Sequence, residues 1–281
     1  MNIAPRYLGR GSWLARRDPR LLVLVVVLFV ATVSQVWDGR AVVGLVIIAF
    51  GYYALAGIPF REVRRNWIAA LTLITIIVLV NTVLTGSRFE GIVQHSFFAL
   101  PLIGTPVSAE SLSYAVTQWL RYAAMLAVGF PVAFCVSPSD FGVTFARLGI
   151  PYKLAFAVDL TFRFLPSLAG EYQQTIDAQR VRGYEPGSGG NPVARLRRSV
   201  PILVPFAVNA IVGAEDTIDA MDLRGFGTGQ RTWLRHLAFD RTDRIVLLAF
   251  VALLVGATIA GFTTTTSHPW TPQFLIRLAG G

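Results

Sequence analysis

Long stretches with few or no charged residues recur along this chain of 281 residues. They cover residues 21–37, 41–60, 67–84, 112–136 and 245–262. Each is close to the roughly 20 mostly apolar residues that a helix needs to cross a bilayer. The pattern therefore predicts five membrane-spanning helices.

The first two apolar stretches are separated only by the short turn Asp38-Gly39-Arg40. This spacing predicts a membrane hairpin. A cleaved signal peptide is an alternative for the first stretch, but no A-x-A-like cleavage site follows it and another span begins at once. We therefore interpret residues 21–37 as a retained helix.

Several side chains within or beside the predicted spans suggest helix packing. Trp37 and Trp67 are placed like interfacial anchors. Ala252, Gly256 and Ala260 recur every four residues, which predicts close helix contact in the last span. Gln35 and Asn81 are interpreted as groups that bond between helices.

The composition agrees with a membrane protein and narrows its chemistry. The chain is 54% hydrophobic and 15% charged, with a mean hydropathy of +0.56, which is too apolar for a soluble domain of this length. One cysteine and three histidines exclude a disulfide framework, a Cys/His zinc site and an iron–sulfur cluster. Lys153 is the sole lysine and lies between Tyr152 and Leu154, so the chain carries no P-loop for ATP.

The net charge of +9 raises the question of a nucleic-acid or membrane partner. With five alternating spans, 21 of the 25 basic residues fall on one side and three on the other, while Arg121 lies within a span. Basic residues concentrate in the cytoplasmic loops of membrane proteins. We therefore predict a cytoplasmic amino terminus and an outward-facing carboxyl terminus, and no nucleic-acid partner.

The segment between the fourth and fifth spans is long, basic and periodic. From Val158 onward the helical spacing predicts an amphipathic helix, whose apolar face comprises Phe162, Leu165, Ala169, Tyr172 and Ile176, and whose polar face comprises Asp159, Arg163, Ser167, Glu171 and Gln174. Asp159 and Arg163 are spaced as an i,i+4 ion pair. A second helix places one set of apolar side chains on a single face: Leu196, Val200, Leu203, Ala207, Ala210, Ala214, Ile218 and Met221.

The second helix contains Pro201 and Pro205, which are expected to kink it. A Gly- and Pro-rich stretch over residues 187–192 separates it from the first helix and would let the two fold back or splay apart. The sequence thus predicts three regions. Residues 1–136 hold four spans, residues 137–243 form a cytoplasmic or interfacial helix region, and residues 244–281 hold the last span and a tail.

Both amphipathic helices end in the same way. One closes with Val181-Arg182-Gly183-Tyr184 and the other with Leu223-Arg224-Gly225-Phe226. For either site alone, an arginine that complements the helix dipole and a glycine cap would be a sufficient explanation. Two copies 42 residues apart favour a duplicated docking tip instead.

These residues resemble the transmembrane T component of energy-coupling factor transporters, the EcfT/CbiQ family of bacterial vitamin and metal importers. The most specific stretches are Leu148-Gly149-Ile150-Pro151, Phe162-Arg163-Phe164-Leu165-Pro166 and Ala178-Gln179-Arg180-Val181-Arg182-Gly183. The last looks like the family's first Ala-Arg-Gly motif, and Leu223-Arg224-Gly225 looks like the second. Val181 and Leu223 stand where the family usually has alanine.

The resemblance implies an all-α, multi-pass protein of the bacterial inner membrane, L-shaped, with about five spans and two long coupling helices. Arg182 and Arg224, with their neighbours Val181, Gly183, Leu223 and Gly225, would dock on a homo- or heterodimer of ABC ATPase subunits. Arg163, Pro166, Gln179 and Arg180 would belong to the coupling-helix motif. The partners would be these ATPases and a membrane-embedded substrate-binding S component, and the chain would need no cofactor, metal ion or catalytic residue.

Two other functions remain open from the residues alone. Asp216, Asp219 and Asp222 could be carboxylate ligands of a membrane enzyme acting on a phosphate-containing substrate, although a solvated helix face explains them as well. A stand-alone secondary transporter is the third reading, and Arg121 could then line a pathway. Without such a role, Arg121 is expected to make an interhelical hydrogen bond or to extend toward an interface.

Overall fold

The computed structural model describes residues 12–85, 96–99, 106–184, 192–229 and 237–263. Within these ranges the chain forms eight α-helices and one two-stranded sheet. The helices are α1 (Pro19–Gln35), α2 (Gly39–Leu55), α3 (Phe60–Thr85), α4 (Ala109–Cys135), α5 (Phe141–Arg147), α6 (Tyr152–Val181), α7 (Pro192–Leu223) and α8 (Arg241–Thr263). The predicted all-α membrane class is confirmed, with one short antiparallel pair of strands, β1 (Ser96–Ala99) and β2 (Pro106–Ser108), between α3 and α4.

Aspartate side chains start three of the helices. Asp18 and Asp38 each accept a hydrogen bond from the backbone N–H two residues on and so cap α1 and α2. In the first turn of α8, the Asp243 carboxylate accepts a hydrogen bond at 3.2 Å from the backbone N–H of Asp240, the residue just before the helix. A carboxylate in the first turn that reaches back in this way satisfies a donor that the helix itself cannot pair.

The chain folds as two compact units, one formed by residues 138–237 and the other by the helices before and after it. We call the second unit, comprising α1–α4 and α8, the helical bundle. In it, α1 and α8 run parallel. Arg17 meets Asp240 at their first turns, and Phe29 meets Phe250 with ring centroids 6.3 Å apart.

Other side-chain pairs in the bundle show that successive helices alternate in direction. Near its middle α4 carries Arg121, which donates to the carbonyl of Val36 just after α1, and at its end Cys135 contacts Ser12 before α1. Helix α4 is therefore antiparallel to α1. It is also antiparallel to α3, because Trp119 donates to Thr75 while Phe130 packs on Trp67.

The core of the bundle lies where α4 packs against α1 and α2 and where α1 packs against α8. Side chains on α1 at helical spacing are almost fully buried, among them Leu22, Val25, Phe29 and Val33. Ala49 of α2 and the Ala124 and Val128 side chains of α4 are equally buried. Within a bilayer the alternative to such burial is contact with lipid tails, so close packing of these side chains is what stabilises the bundle.

The bundle also constrains how the rest of the chain can cross a membrane. Helix α4 ends beside Ser12 and α8 begins beside Arg17, so the chain leaves and re-enters the bundle at the same end. If the bundle helices span a membrane, the chain therefore leaves the bundle after α4 and returns before α8 on the same side of that membrane.

By length and composition, three described helices could span a membrane: α3, α8 and the part of α7 from Ser199 to Leu223. Helix α4 qualifies only when it is joined to residues 138–147. Helices α1 and α2, at 17 residues each, are shorter but apolar. From the sequence we predicted an amphipathic coupling helix there, with an apolar part at residues 200–213 whose entry into the membrane was left open. Helix α6 does not meet the same criteria for a membrane span, so α6 and α7 do not form a pair of candidate spans.

Several predicted details are wrong. The second predicted span ends at Leu55, and Phe60 instead begins α3, because Gly57 adopts φ of +59° and Pro59 follows it. Trp67 is only 6% exposed and donates to the Tyr53 hydroxyl, so it is a packing residue rather than an interfacial anchor.

The small-residue stripe on α8 does not make the predicted close contact. Ala252, Gly256 and Ala260 instead line a cavity of about 590 Å³ bordered by α1, α2 and α8. A methyl group added at Gly256 would meet nothing within 4 Å.

The interhelical role of Gln35 is confirmed, because its side chain accepts a hydrogen bond from the Thr258 hydroxyl at 2.8 Å.

In the other unit, the short helix α5 packs closely against α6. A Cβ atom added to Gly142 would lie 2.4 Å from the Cβ of Asp159, so only glycine fits there. Phe141 stacks on Phe162 with centroids 5.4 Å apart. The predicted face of α6 that carries Phe162 therefore meets α5 at this point.

Candidate functional site

The α6 tip, residues 181–184, has the backbone geometry of a Schellman cap. Gly183 adopts φ of +80°, its N–H donates to the carbonyl of Arg180, and the N–H of Tyr184 donates to the carbonyl of Gln179. These two bonds satisfy carbonyls that the last helical turn leaves unpaired. A left-handed residue is required at this point, which explains the glycine.

The α7 tip, residues 223–226, repeats this geometry. Gly225 adopts φ of +63°, its N–H donates to the carbonyl of Asp222, and the N–H of Phe226 donates to the carbonyl of Met221. The prediction that Gly183 and Gly225 are helix caps is confirmed. The two tips are thus alike in backbone conformation as well as in sequence.

The last apolar residue of each helix projects into solvent. Val181 and Leu223 are both 90% exposed, and Arg182 and Arg224 are exposed beside them. Cap geometry accounts for the glycines, but a glycine cap does not require an exposed branched apolar residue ahead of it. Exposed apolar side chains that are grouped with arginine are typical of protein interfaces.

Helices α6 and α7 pair in antiparallel fashion. Gln179 donates to the carbonyl of Pro201 at 3.0 Å, and Tyr172 packs edge-on against Phe206 at 5.4 Å. At the other end, Phe226 packs on Phe156 with centroids 4.5 Å apart. The two tips therefore lie at opposite ends of the pair. Since α6 has 30 residues, they are separated by roughly 45 Å.

The other predicted motif residues have different surroundings. Arg163 and Pro166 are exposed on α6, with Pro166 inside the helix. Arg180 forms an exposed i,i+3 ion pair with Asp177 at 3.3 Å. Such exposed pairs contribute roughly 0–1 kcal/mol, so this pair orients the side chain near the tip more than it stabilises the helix.

Asp159 has a second role besides the predicted pairing with Arg163. It lies against Gly142, and burial there raises the pKa of its carboxyl, while the positive charge of Arg163 acts in the opposite direction. The sequence carried a signal for this contact in the glycine at position 142. The sequence alone does not show that α6 is the helix packed against Gly142, so this glycine could not be interpreted in advance.

The two amphipathic faces are largely open to the surroundings. Ala155 and Thr175 are the buried residues of α6, and in the described part of α7 Ile202 is buried. The α7 face exposes a set of branched apolar side chains, namely Val200, Val204, Val208, Ile211, Val212 and Ile218. The described part of their own unit does not cover these side chains.

The acidic alternative site is not assembled. Asp216, Asp219 and Asp222 are exposed on α7. Within the described ranges, no group of three or more His, Cys, Asp or Glu side chains is placed to hold a metal ion. The D-x-x-D-x-x-D spacing thus has the geometry expected for a solvated helix face.

Arg121 of the bundle has a structural partner. Its side chain is buried, donates to the carbonyl of Val36, and lies over the Trp37 ring with its central carbon 5.2 Å from the centroid. The interhelical hydrogen bond considered from the sequence is therefore present. It ties the turn between α1 and α2 to α4.

Comparison with known proteins agrees with this architecture. The family model described as cobalt transport protein, CbiQ, matches residues 10–233. A protein of Thermosediminibacter oceani is 28% identical over 92% of this chain and 97% of its own length. Proteins of Lactococcus lactis subsp. cremoris and Bacillus subtilis strain 168 are each 26% identical over 89% of this chain, and over 94% and 95% of their own lengths.

All three relatives are named energy-coupling factor transporter transmembrane protein EcfT. Such proteins are membrane components of transporters, which agrees with a non-catalytic subunit. The family match covers most of the chain and coincides with the resemblance seen in its motifs. The chain therefore belongs to the CbiQ family, as an integral-membrane T component of the energy-coupling factor type.

Proposed function

We propose that this chain is the energy-coupling scaffold of an ATP-driven importer. It would transmit movements of two ABC ATPase subunits, identical or different, to a membrane-embedded S component that carries a vitamin or a transition-metal ion. The observation that carries this proposal is the pair of tips, which are similar in sequence and in cap geometry and each present a 90% exposed apolar residue beside an arginine.

Each tip has the chemistry of a docking element. Val181 or Leu223 would enter an apolar groove, while Arg182 or Arg224 would make bidentate bonds to a carboxylate or to backbone carbonyls at its edge. The rigid glycine cap would hold both side chains in place. Since the tips lie at opposite ends of the α6–α7 pair, each would engage a different ATPase subunit.

The exposed face of α7 would serve the second step of coupling. Its branched side chains, such as Val204, Val208 and Ile211, are half or more exposed and would pack on the S component or the bilayer. Because the chain leaves and re-enters the bundle at the same end and α6 is not a candidate span, we place α7 along the membrane surface. Movement of the tips would then shift an apolar surface that lies against the substrate carrier.

We further propose that the chain resides in the bacterial inner membrane with its amino terminus in the cytoplasm. The uneven distribution of basic residues supports this orientation. In a Cys135→Ala background, a cysteine at Ser188 should be labelled from the cytoplasm and one at Ser267 from outside; both positions lie outside the described residues. Outside labelling at Ser188 would reverse the orientation.

The deciding experiment is the double variant Arg182→Ala/Arg224→Ala, purified from its native membrane together with associated subunits. We expect loss of the ATPase subunits from the complex and loss of ATP-dependent uptake. An anchoring charged group at a packed interface contributes roughly 2 kcal/mol or more, whereas an arginine that only complements a helix dipole contributes about 0.3–1 kcal/mol.

Arg147→Ala/Arg197→Ala is the matched control, because it removes two exposed arginines of the same unit that belong neither to a tip nor to the coupling-helix motif. It should retain the ATPases. If the tip variant binds the ATPases at normal affinity and supports uptake, the docking proposal fails. The arginines would then be helix-end charges only.

A further inference from the structure

Helix α7 contains a carbonyl that the helix itself cannot pair. Pro205 has no N–H, so the carbonyl of Pro201, four residues earlier, lacks its usual helical donor. The side-chain amide of Gln179 donates to this carbonyl at 3.0 Å. We propose that Gln179 is a positioning residue that pins α6 to the proline-interrupted turn of α7 and thereby sets the angle between the two helices.

The surrounding contacts place this bond at the crossing of the two helices. Thr175 of α6 and Ile202 of α7 are 8% and 4% exposed, and the pair makes a separate aromatic contact near the start of α6, where Phe226 packs on Phe156. About one helical turn before Thr175, Tyr172 of α6 packs edge-on against Phe206 of α7. The crossing thus consists of apolar contacts, which are not directional, and the Gln179 hydrogen bond, which is.

A proline inside a helix is a place where the axis bends readily, because a backbone bond is missing there. The direction of such a bend depends on what satisfies the freed carbonyl. Here the donor comes from α6, and the backbone carbonyl of Gln179 accepts the N–H of Tyr184 in the cap of the α6 tip. One residue therefore links the cap of one tip to the bendable turn of the other helix.

This inference rests on the proposed function for its consequence. If the tips receive movements of the ATPases, the pin would transfer displacement of the α6 tip to the middle of α7. Without the pin, the same displacement would be absorbed by bending at Pro205. Gln179 would then matter for coupling and not for docking.

The structural part of the test needs no partner. Spin labels are placed at Ala157→Cys and Ala220→Cys, both exposed alanines of α6 and α7, in the purified full-length chain with Cys135→Ala. Both positions lie about 18 residues from the crossing, so a change of about 10° in crossing angle would shift their separation by roughly 5 Å. Pulsed electron–electron double resonance measures this distance.

Gln179→Glu is the decisive variant, because it keeps the size of the side chain but removes the amide donor. We expect the distance distribution to broaden or shift by about 3 Å or more, and Gln179→Ala should do the same. Gln174→Glu makes the same chemical change at an exposed position of the same helix and should leave the distribution unchanged. An unchanged distribution in Gln179→Glu, or an equal change in Gln174→Glu, overturns the pin.

Pro205→Ala tests the reason for the bond. Alanine restores an N–H at position 205, which can pair with the carbonyl of Pro201 within the helix. In that background the carbonyl no longer depends on Gln179. Adding Gln179→Ala should then change the distance by less than about 1 Å, whereas fully additive effects of the two changes would contradict the mechanism.

The functional part separates this inference from the proposed function. In the assembled transporter, Gln179→Glu should retain the ATPases and their hydrolysis, while uptake per ATP hydrolysed falls roughly fivefold, as expected for one lost hydrogen bond. Unchanged uptake per ATP, together with altered distances, removes the coupling role. If Arg182→Ala/Arg224→Ala leaves ATPase binding intact, the proposed function fails while the spectroscopic result on the pin still stands.

Discussion

The helical bundle and the α6–α7 pair place their apolar side chains differently. In the bundle, α1 contributes five almost fully buried apolar side chains, and the aromatic rings of Phe29, Tyr52 and Phe250 pack edge-on between helices. In the pair, 62 helical residues bury few side chains, and branched apolar groups are half exposed along α7. The bundle has a closed core, although α3 and α8 expose apolar side chains on their outer faces, whereas the described part of the pair has few buried side chains anywhere along its length.

This difference separates stability from function along the chain. Substitutions in the bundle should act on folding, and substitutions on the tips should act on assembly with little effect on folding. The four predictions that follow test whether the two regions really divide in this way.

The largest effect is expected from Phe29→Ala in α1, at a fully buried ring. The loss of transfer free energy and the cavity left behind should lower the free energy of unfolding by roughly 3–5 kcal/mol. Thermal unfolding in detergent measures it. Phe262→Ala is the matched control, since that ring is 88% exposed, and it should change stability by less than about 0.5 kcal/mol. Equal effects would mean that the bundle core is misplaced.

The second effect concerns the α7 tip. Leu223→Asp places a charge where an apolar side chain is 90% exposed, so the thermal midpoint of the isolated chain should hardly move. Binding of the ATPase pair should weaken by about 2 kcal/mol or more, because the charge would be buried in an apolar groove. Binding measured with the purified ATPases checks this. A marked loss of stability with normal binding would make Leu223 a folding residue and erase the contrast between the regions.

A smaller effect is expected at the ends of α1 and α8. Arg17 lies 3.0 Å from Asp240 and 3.7 Å from Asp243, whose side chain is almost fully buried. Arg17→Ala leaves that carboxylate without its cation, which should lower the free energy of unfolding by roughly 1–3 kcal/mol. Arg16→Ala, on the neighbouring residue, should be close to neutral. A neutral Arg17→Ala would show that the ends of these helices are held by apolar contacts alone.

The smallest effect is on acid sensitivity. The N–H of Arg241 and the side chain of Arg17 hold the pKa of Asp240 below its usual 3.8. A carboxyl whose pKa is lower in the folded state contributes stability above its unfolded pKa and loses it as the pH falls toward the folded value. The difference in thermal midpoint between the native chain and Asp240→Asn should therefore shrink below about pH 4. A difference independent of pH would show that charge is not involved.

The sequence predicts the helices better than it predicts their contacts. The spans were visible because residues such as those between Leu21 and Gln35 form an uninterrupted apolar run, and both glycine caps were visible from local rules. The burial of Trp67, the cavity beside Gly256 and the α5 contact at Gly142 were not visible. Each depends on which faces of distant helices meet, and the periodicity of one helix carries no such information.

The functional residues divide in the same manner. The tips could be found because the motif occurs twice, so that each copy supports the other. Gln179 was selected only through the resemblance, and its contact with Pro201 follows from two distant helices crossing at a proline. The freed carbonyl was implicit in Pro205, but nothing local indicates which side chain supplies the donor.

The parallel packing of α8 on α1 has a consequence for how the protein is made. About 100 residues separate α8 from the end of α4, so the side of α1 that receives Phe250 and Thr258 is synthesised long before its neighbour. At roughly 5–20 residues per second, that surface waits about 5–20 s during translation. Until α8 is synthesised, Gln35 lacks its partner Thr258 and the face of α1 that contacts Phe250 is uncovered. A growing chain in this condition is a natural client for an insertion factor, and truncation before Arg241 should yield a protein that is degraded rather than one that is merely inactive.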